Sequence, residues 1–130
     1  MATWKTPSDL KYTRNDEWLR IENGTATVGI TDYAQDQLND IVYVELPDVG
    51  AEFKKGESFG VVESVKAASD IFLPVGGKIS QVNSNVQQEP ELINTDPYGE
   101  GWLVKIQIAN AADADDLMDA DAYAQYCETR

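Results

Sequence analysis

Short runs of β-branched and aromatic residues, each closed after a few positions by turn-forming residues, restrict this chain to a small structure of many brief strands. Trp18 to Ile21 is such a run. Behind it stands Asn23-Gly24, a pair that tolerates the positive φ of a tight hairpin turn, and Thr25 to Gly29 returns as the partner strand. Asp40 to Leu46 is the next strand, ended by the turn Pro47-Asp48-Val49-Gly50. After the turn at Lys54-Lys55-Gly56-Glu57 come Ser58 to Val65 and Ser69 to Leu73; Pro74-Val75-Gly76-Gly77 then breaks the chain before Lys78 to Val82, and Trp102 to Ile108 is the last strand. Strands this short, at this spacing, imply a mainly β fold, a flattened sandwich or barrel.

Helices are expected only at the periphery. Thr31 is placed to cap a helix from Asp32 to Leu38, with Asp32 in the first turn where the helix dipole favours it. Residues 113–118 and 120–127 read as a terminal helix broken near Asp119, packing Leu117, Tyr123 and Tyr126 against a sheet edge. The polar stretch from Asn83 to Gly101, with Pro90 and Pro97, is long for a connection; such loops are either functional or anchored by their own apolar residues. A chain of 130 residues is expected to form one domain, with a core at about 12–108 and a C-terminal helical extension at about 113–128.

Composition removes several classes of function. The formal charge of −13 argues against nucleic acid, which needs clustered Lys and Arg; it serves either solubility or salt-sensitive steering toward basic partner surfaces. With no histidine and the single cysteine Cys127, a zinc, haem or iron–sulfur site has almost no ligands. No stretch approaches the roughly 20 apolar residues that cross a bilayer. Met1 to Leu10 carries neither a basic start with an apolar run nor an Arg-rich transit character, so a cytoplasmic protein is expected, although a mature chain already stripped of a leader would read the same way; a monomer is expected as a separate matter. Nor is catalysis expected: the chain offers no phosphate-cradling Gly-rich loop and no nucleophile with an evident base.

The most distinctive stretch is Val61 to Phe72, Val-Val-Glu-Ser-Val-Lys-Ala-Ala-Ser-Asp-Ile-Phe. Strand-forming residues flank small ones at Ala67, Ala68 and Ser69, which reads as a hairpin reversing there and holding Lys66 in solvent. From the residues alone, Lys66 is either a solubilising charge or an amine presented for acylation. Glu63 and Asp70 beside it are either ordinary surface charges or marks read by a basic enzyme surface.

The stretch from Gly60 to Ile71 resembles the lipoylation segment of the H-protein family of the glycine cleavage system. The resemblance continues through Tyr12 to Trp18, Val28 to Gln35, Asp40 to Pro47, and Pro90 to Asn94 on to Asp96 to Trp102, together about nine tenths of the chain in the family's order. One departure stands at Asp16, where the family usually has histidine before Glu17 and Trp18; its response near neutral pH is lost here.

The resemblance implies a lipoyl/biotinyl (barrel-sandwich hybrid) fold of two antiparallel sheets with short peripheral helices and a C-terminal helix. It implies a carrier rather than a catalyst, with lipoic acid in amide linkage on Lys66 and Glu63, Ser64, Val65, Ala67 and Asp70 as the segment read by lipoate-attaching enzymes. The implied work is a shuttle: an aminomethyl group passes from a pyridoxal-phosphate-dependent glycine decarboxylase to a folate-dependent aminomethyltransferase, and dihydrolipoamide dehydrogenase reoxidises the dithiol. Supply of lipoate to 2-oxoacid dehydrogenase subunits is an alternative, while biotin is disfavoured because Val65 and Ala67 stand where biotinyl segments place methionine. The family shields the loaded arm in a surface cleft, for which Glu17, Asp70 and Asn15 are the candidate polar groups, although Glu17 reads equally as a strand-end charge. Such proteins work in the bacterial cytoplasm or, as mature eukaryotic forms, in the mitochondrial matrix.

Overall fold

The computed structural model describes residues 4–130, so Met1 to Thr3 of the segment read for a leader lie outside the described residues. The chain opens with β1 (Lys11–Tyr12), β2 (Glu17–Glu22) and β3 (Thr25–Ile30), and passes through α1 (Asp32–Leu38) into β4 (Ile41–Glu45) and β5 (Glu52–Phe53). β6 (Ser58–Ser64) and β7 (Ala68–Phe72) form a hairpin, and β8 (Gly77–Val82) leads to α2 (Ser84–Gln88) and α3 (Leu92–Thr95). β9 (Val104–Ile108), a 3-10 turn at Ala111–Ala114 and α4 (Ala120–Glu128) complete it.

The strands form two antiparallel sheets, one ordered β1-β2-β3-β9-β8-β5 and the other β4-β6-β7, facing each other as a flattened sandwich. The sequence dictates which side chains lie between them. On a strand successive residues point to opposite faces, and β2 divides its residues accordingly. Leu19 joins the sandwich core with Val28, Val44, Val62, Ile79 and Ile106, whereas Trp18 joins a second cluster with Leu10, Tyr12, Tyr33, Tyr123 and Cys127. Asn23 and Gly24 between β2 and β3 have φ of 49° and 78°, the pair of positive values that the Asn-Gly hairpin requires. Thr31 caps α1 as expected, its side chain accepting the Ala34 N–H at 3.1 Å.

The long connection at 83–101 takes the second of its two expected forms, and three other segments differ from the sequence reading. The stretch 83–101 is anchored by its own apolar residues: α2 and α3 bury Val86 and Ile93 completely. The Asn83 amide secures it by donating to the carbonyls of Glu100 and Trp102, at 2.8 and 2.6 Å. Residues 113–118 do not continue a helix. After the 3-10 turn, Met118 exchanges backbone hydrogen bonds with Tyr12 at 2.8 and 2.9 Å, and Asp119 instead caps α4 by accepting from the Ala122 N–H. β1 and β5, with two residues each, are too short to carry an alternating pattern and were not legible.

Tyr123 of α4 is fully buried and stacks on Tyr12 with ring centroids 4.6 Å apart, so the terminal helix seals the outer side of β1 and β2. Beneath this seal, Gly29 lies opposite Trp18 in the β2–β3 register. A Cβ there would sit 2.6 to 2.8 Å from the indole ring, closer than packed atoms allow, and that indole is held by its Nε1–H donating to the Pro97 carbonyl at 3.0 Å. Gly29→Ala is therefore expected to destabilise the fold by about 1–3 kcal/mol through overpacking. Chemical denaturation followed by tryptophan fluorescence measures this, and an unchanged midpoint would contradict it.

Candidate functional site

The β6–β7 hairpin projects Lys66. Pairing runs Val61 to Asp70, Val62 to Ser69 and Glu63 to Ala68, so the reversal occupies Val65 to Ala67, earlier than the expected 67–69. Ser64 is the cause. Its Oγ accepts the backbone N–H groups of Lys66 and Ala67, at 3.2 and 3.1 Å, and its own N–H donates to the Ala67 carbonyl at 2.7 Å. Closure at Ser64 lets Ala68 enter β7 and leaves Lys66 inside the turn itself. The Val65 N–H donates to the Asp40 carbonyl at 3.1 Å, bracing the tip against the start of β4. Lys66 is exposed, as are Val65, Ala67 and Asp70, while Glu63 and Ser64 are half-buried. Among the described residues no salt bridge engages Lys66.

Beside the hairpin lies a cleft of about 310 Å³. Asn15, Glu17 and Asp70, expected to meet, all line it. So do Asp16, Tyr33, Gln37 and Arg130, over an apolar floor of Ile30, Leu38, Val62 and Ile71. The polar wall begins in a tight turn. The Thr13 hydroxyl accepts the N–H groups of Asn15 and Glu17, and Asp16 takes the left-handed conformation at φ 69°.

Glu17 is not a solvated strand-end charge, for only 2% of its surface is exposed. Its carboxylate accepts the Thr13 hydroxyl at 2.7 Å and the Phe72 N–H at 3.2 Å. Burial pushes its pKa up to about 7; these two hydrogen bonds pull it back, and the charge of Asp16 adds to the rise. Asp16 itself is occupied. Arg130 grips its carboxylate with two guanidinium nitrogens, at 2.5 and 2.9 Å, and the Tyr123 hydroxyl donates to it at 2.9 Å.

Arg130 in turn lies over the rings of Tyr33 and Tyr126, 4.3 and 4.5 Å from their centroids. Sequence reasoning missed this residue. It stands 114 positions from Asp16, and the only hint was an acid in place of a histidine, which called for a cation somewhere.

Because the Glu17 pKa lies above the ordinary value of 4.5, the folded chain holds that proton more tightly than the unfolded chain. The fold therefore loses stability as pH rises from about 4.5 to about 7, by about 3 kcal/mol at most. Glu17→Gln keeps the acceptor and removes the titration. Its melting temperature relative to the wild type is expected to climb between pH 5 and pH 8; an offset independent of pH would disprove the buried ionisation.

The family profile described as Glycine cleavage H-protein matches residues 10–130. The chain is 56% identical over 117 residues to the glycine cleavage system H protein of Symbiobacterium thermophilum, covering 90% of this chain and 91% of that one. It is 52% identical over 120 residues to the mitochondrial glycine cleavage system H protein 2 of Arabidopsis thaliana, covering 92% and 77%. The crystal structure of a glycine cleavage system H protein from Mycobacterium marinum superposes with a TM-score of 0.87 at 40% identity, covering 92% of this chain and 97% of the other. A two-sheet sandwich with a lysine at a hairpin tip beside an acid-walled cleft, matched over nearly its whole length in sequence and structure, places the chain in the glycine cleavage H-protein family.

Proposed function

We propose that this protein is the lipoyl carrier of a glycine cleavage system, loaded on Lys66 and serving a decarboxylase, an aminomethyltransferase and a dihydrolipoamide dehydrogenase in turn. The observation that carries the reading is the exposed amine of Lys66, held in a braced reversal next to a cleft whose walls are carboxylates. Loading forms an amide between the lysine Nζ and the lipoate carboxyl. Starting from an adenylate-activated carboxyl, the acyl–phosphate bond breaks, AMP leaves and the amine loses its protons.

The residues present suit lipoate. Val65 and Ala67 put no charge beside the amine, and the Ser64 closure fixes the turn while leaving the four-carbon lysine stem mobile. When bound, the group supplies a disulfide that opens and closes and carries an aminomethyl unit between enzymes. A tether of this kind keeps its cargo at high effective concentration.

The cleft suits a cationic cargo. Asp70 offers an exposed carboxylate, and Glu17 titrates near neutrality with no basic partner among the described residues. An approaching ammonium would draw its proton off and gain a charge-assisted hydrogen bond. Asn15 adds a polar group at the rim, and Tyr33 and the apolar floor limit water. Asp70 lies four residues along the hairpin from Lys66, about 13 Å of extended chain.

Intact mass spectrometry of protein made in a lipoate-supplied host tests the reading. One lipoyl group is expected on the wild type and none on Lys66→Ala, with the unmodified variant equally well folded. A wild-type chain that stays unmodified under those conditions would refute it.

A further inference from the structure

One face of this molecule is not explained by the arm or its cleft. β4 is one of the two edge strands of the three-stranded sheet, and a bulge between Ile41 and Tyr43 interrupts its pairing with β6. The extra residue breaks the inward-outward alternation, so Val42 and Tyr43 are both exposed, at 55% and 50%, while Ile41 and Val44 stay buried. Val65 at the hairpin tip, braced on Asp40, is 68% exposed. Thus three of the five large apolar side chains exposed among the described residues gather on β4 and the tip that leans on it. Asn94 accepts the Ile41 N–H at 2.9 Å at one end of this strand, and the exposed apolar side chains beside it remain an aggregation liability unless something covers them.

The charges around this patch have one sign. Asp40 just before β4 and Glu45 at its end flank it, and Glu63 faces Tyr43 across the register. No Lys or Arg occurs between Arg20 and Lys54, and Lys66 is the single one between Lys55 and Lys78. The complement of this surface is an apolar seat rimmed with Lys and Arg.

Which partner carries that complement follows from reach. Enzymes that act on a finished arm meet the group at its far end and need not touch the tip. The enzyme that attaches the arm must bring its active site to the bare lysine Nζ, one short side chain from the backbone, so Val65 and the neighbouring β4 edge fall inside its footprint. Resting on the carrier function proposed above, we propose that the β4 surface built on Val42, Tyr43 and Val65 is the docking seat of the lipoate-attaching enzyme. The bulge spoils the edge for strand addition, so recognition runs through these side chains rather than a continued ladder.

The test uses unlipoylated full-length protein, a purified lipoate ligase, lipoate and ATP, with acylation rates read by intact mass over a range of acceptor concentrations. The double variant Val42→Ser/Tyr43→Ser is expected to lose about tenfold or more in kcat/KM, carried by KM with kcat kept, and with an unchanged melting temperature. Val49→Ser, which removes a comparably exposed valine in the turn after β4, is expected to behave as wild type.

Glu45→Lys, which leaves the apolar pair intact, is expected to raise KM and flatten the salt dependence; it decides the matter should the double variant melt lower. Wild type acylated at rates that both variants match within twofold overturns the docking seat and leaves the carrier function standing. Wild type that is never acylated overturns both. A wild-type dimer in sedimentation that the double variant dissociates assigns the face to a second copy and overturns the proposal.

Discussion

The carboxylate of Glu17 is the joint on which the working end of this molecule hangs. It starts β2 in the six-stranded sheet, yet it accepts the backbone N–H of Phe72 at the base of β7 in the other sheet. Its second oxygen is held by Thr13. One buried group thus ties the first sheet to the hairpin that displays Lys66, and sets the position of the cleft wall relative to that lysine. A neutral amide or apolar residue would have made a less costly joint, since burying a carboxyl raises its pKa to about 7. With its pKa near neutrality, the group is poised to ionise toward a cation and to remain uncharged without one.

That poise depends on the next residue. Asp16 stands at φ 69° beside Glu17, and left bare it would push the neighbouring pKa further upward. Arg130 and Tyr123 hold its carboxylate instead, and Tyr123 also shares a 2.6 Å hydrogen bond with Thr31, the cap of α1. The end of the chain is thereby fastened to the start of β2 and to the helix whose Tyr33 and Leu38 face the cleft. The family's usual histidine at this place would titrate. The Asp16–Arg130 pair instead sets two opposite charges at the cleft wall, beside Glu17, whose pKa burial raises to about 7.

What could be read in the sequence, and what could not, follows the range of the interactions. Turns and caps are local: Asn23-Gly24 and Thr31 announced themselves because two to four residues contain the whole physics. Runs of β-branched and aromatic residues between turn residues located β2, β3, β4 and β6 to within a residue or so. Small residues at 67–69 suggest a later hairpin reversal, whereas the Ser64 hydroxyl closes the turn first. The two short helices at 84–88 and 92–95 escaped notice because each depends on one buried residue, Val86 or Ile93, and on Asn83 reaching carbonyls 17 and 19 positions ahead. The cleft was legible only as polar residues brought together by resemblance. Its Arg130 wall joins opposite ends of the chain, and no local pattern encodes that.

A carrier needs a stiff stalk and a loose arm, and the hairpin separates the two requirements within three residues. Backbone motion at the tip would spread the cargo through a larger volume and waste the effective concentration a tether provides. Here the Ser64 bonds and the tie from Val65 to Asp40 hold the backbone on both sides of position 66, while the side chain bears no such restraint. The bracing also has an electrostatic side. Lys66 is the single cation on an acidic stretch, so acylating it changes the formal charge from −13 to −14 and leaves the tip without positive charge. A basic enzyme surface is repelled by that cation before loading and only attracted afterward. For the lipoyl carrier proposed here, affinity for the bare tip would therefore come from the acids and apolar groups around the lysine rather than from the lysine itself.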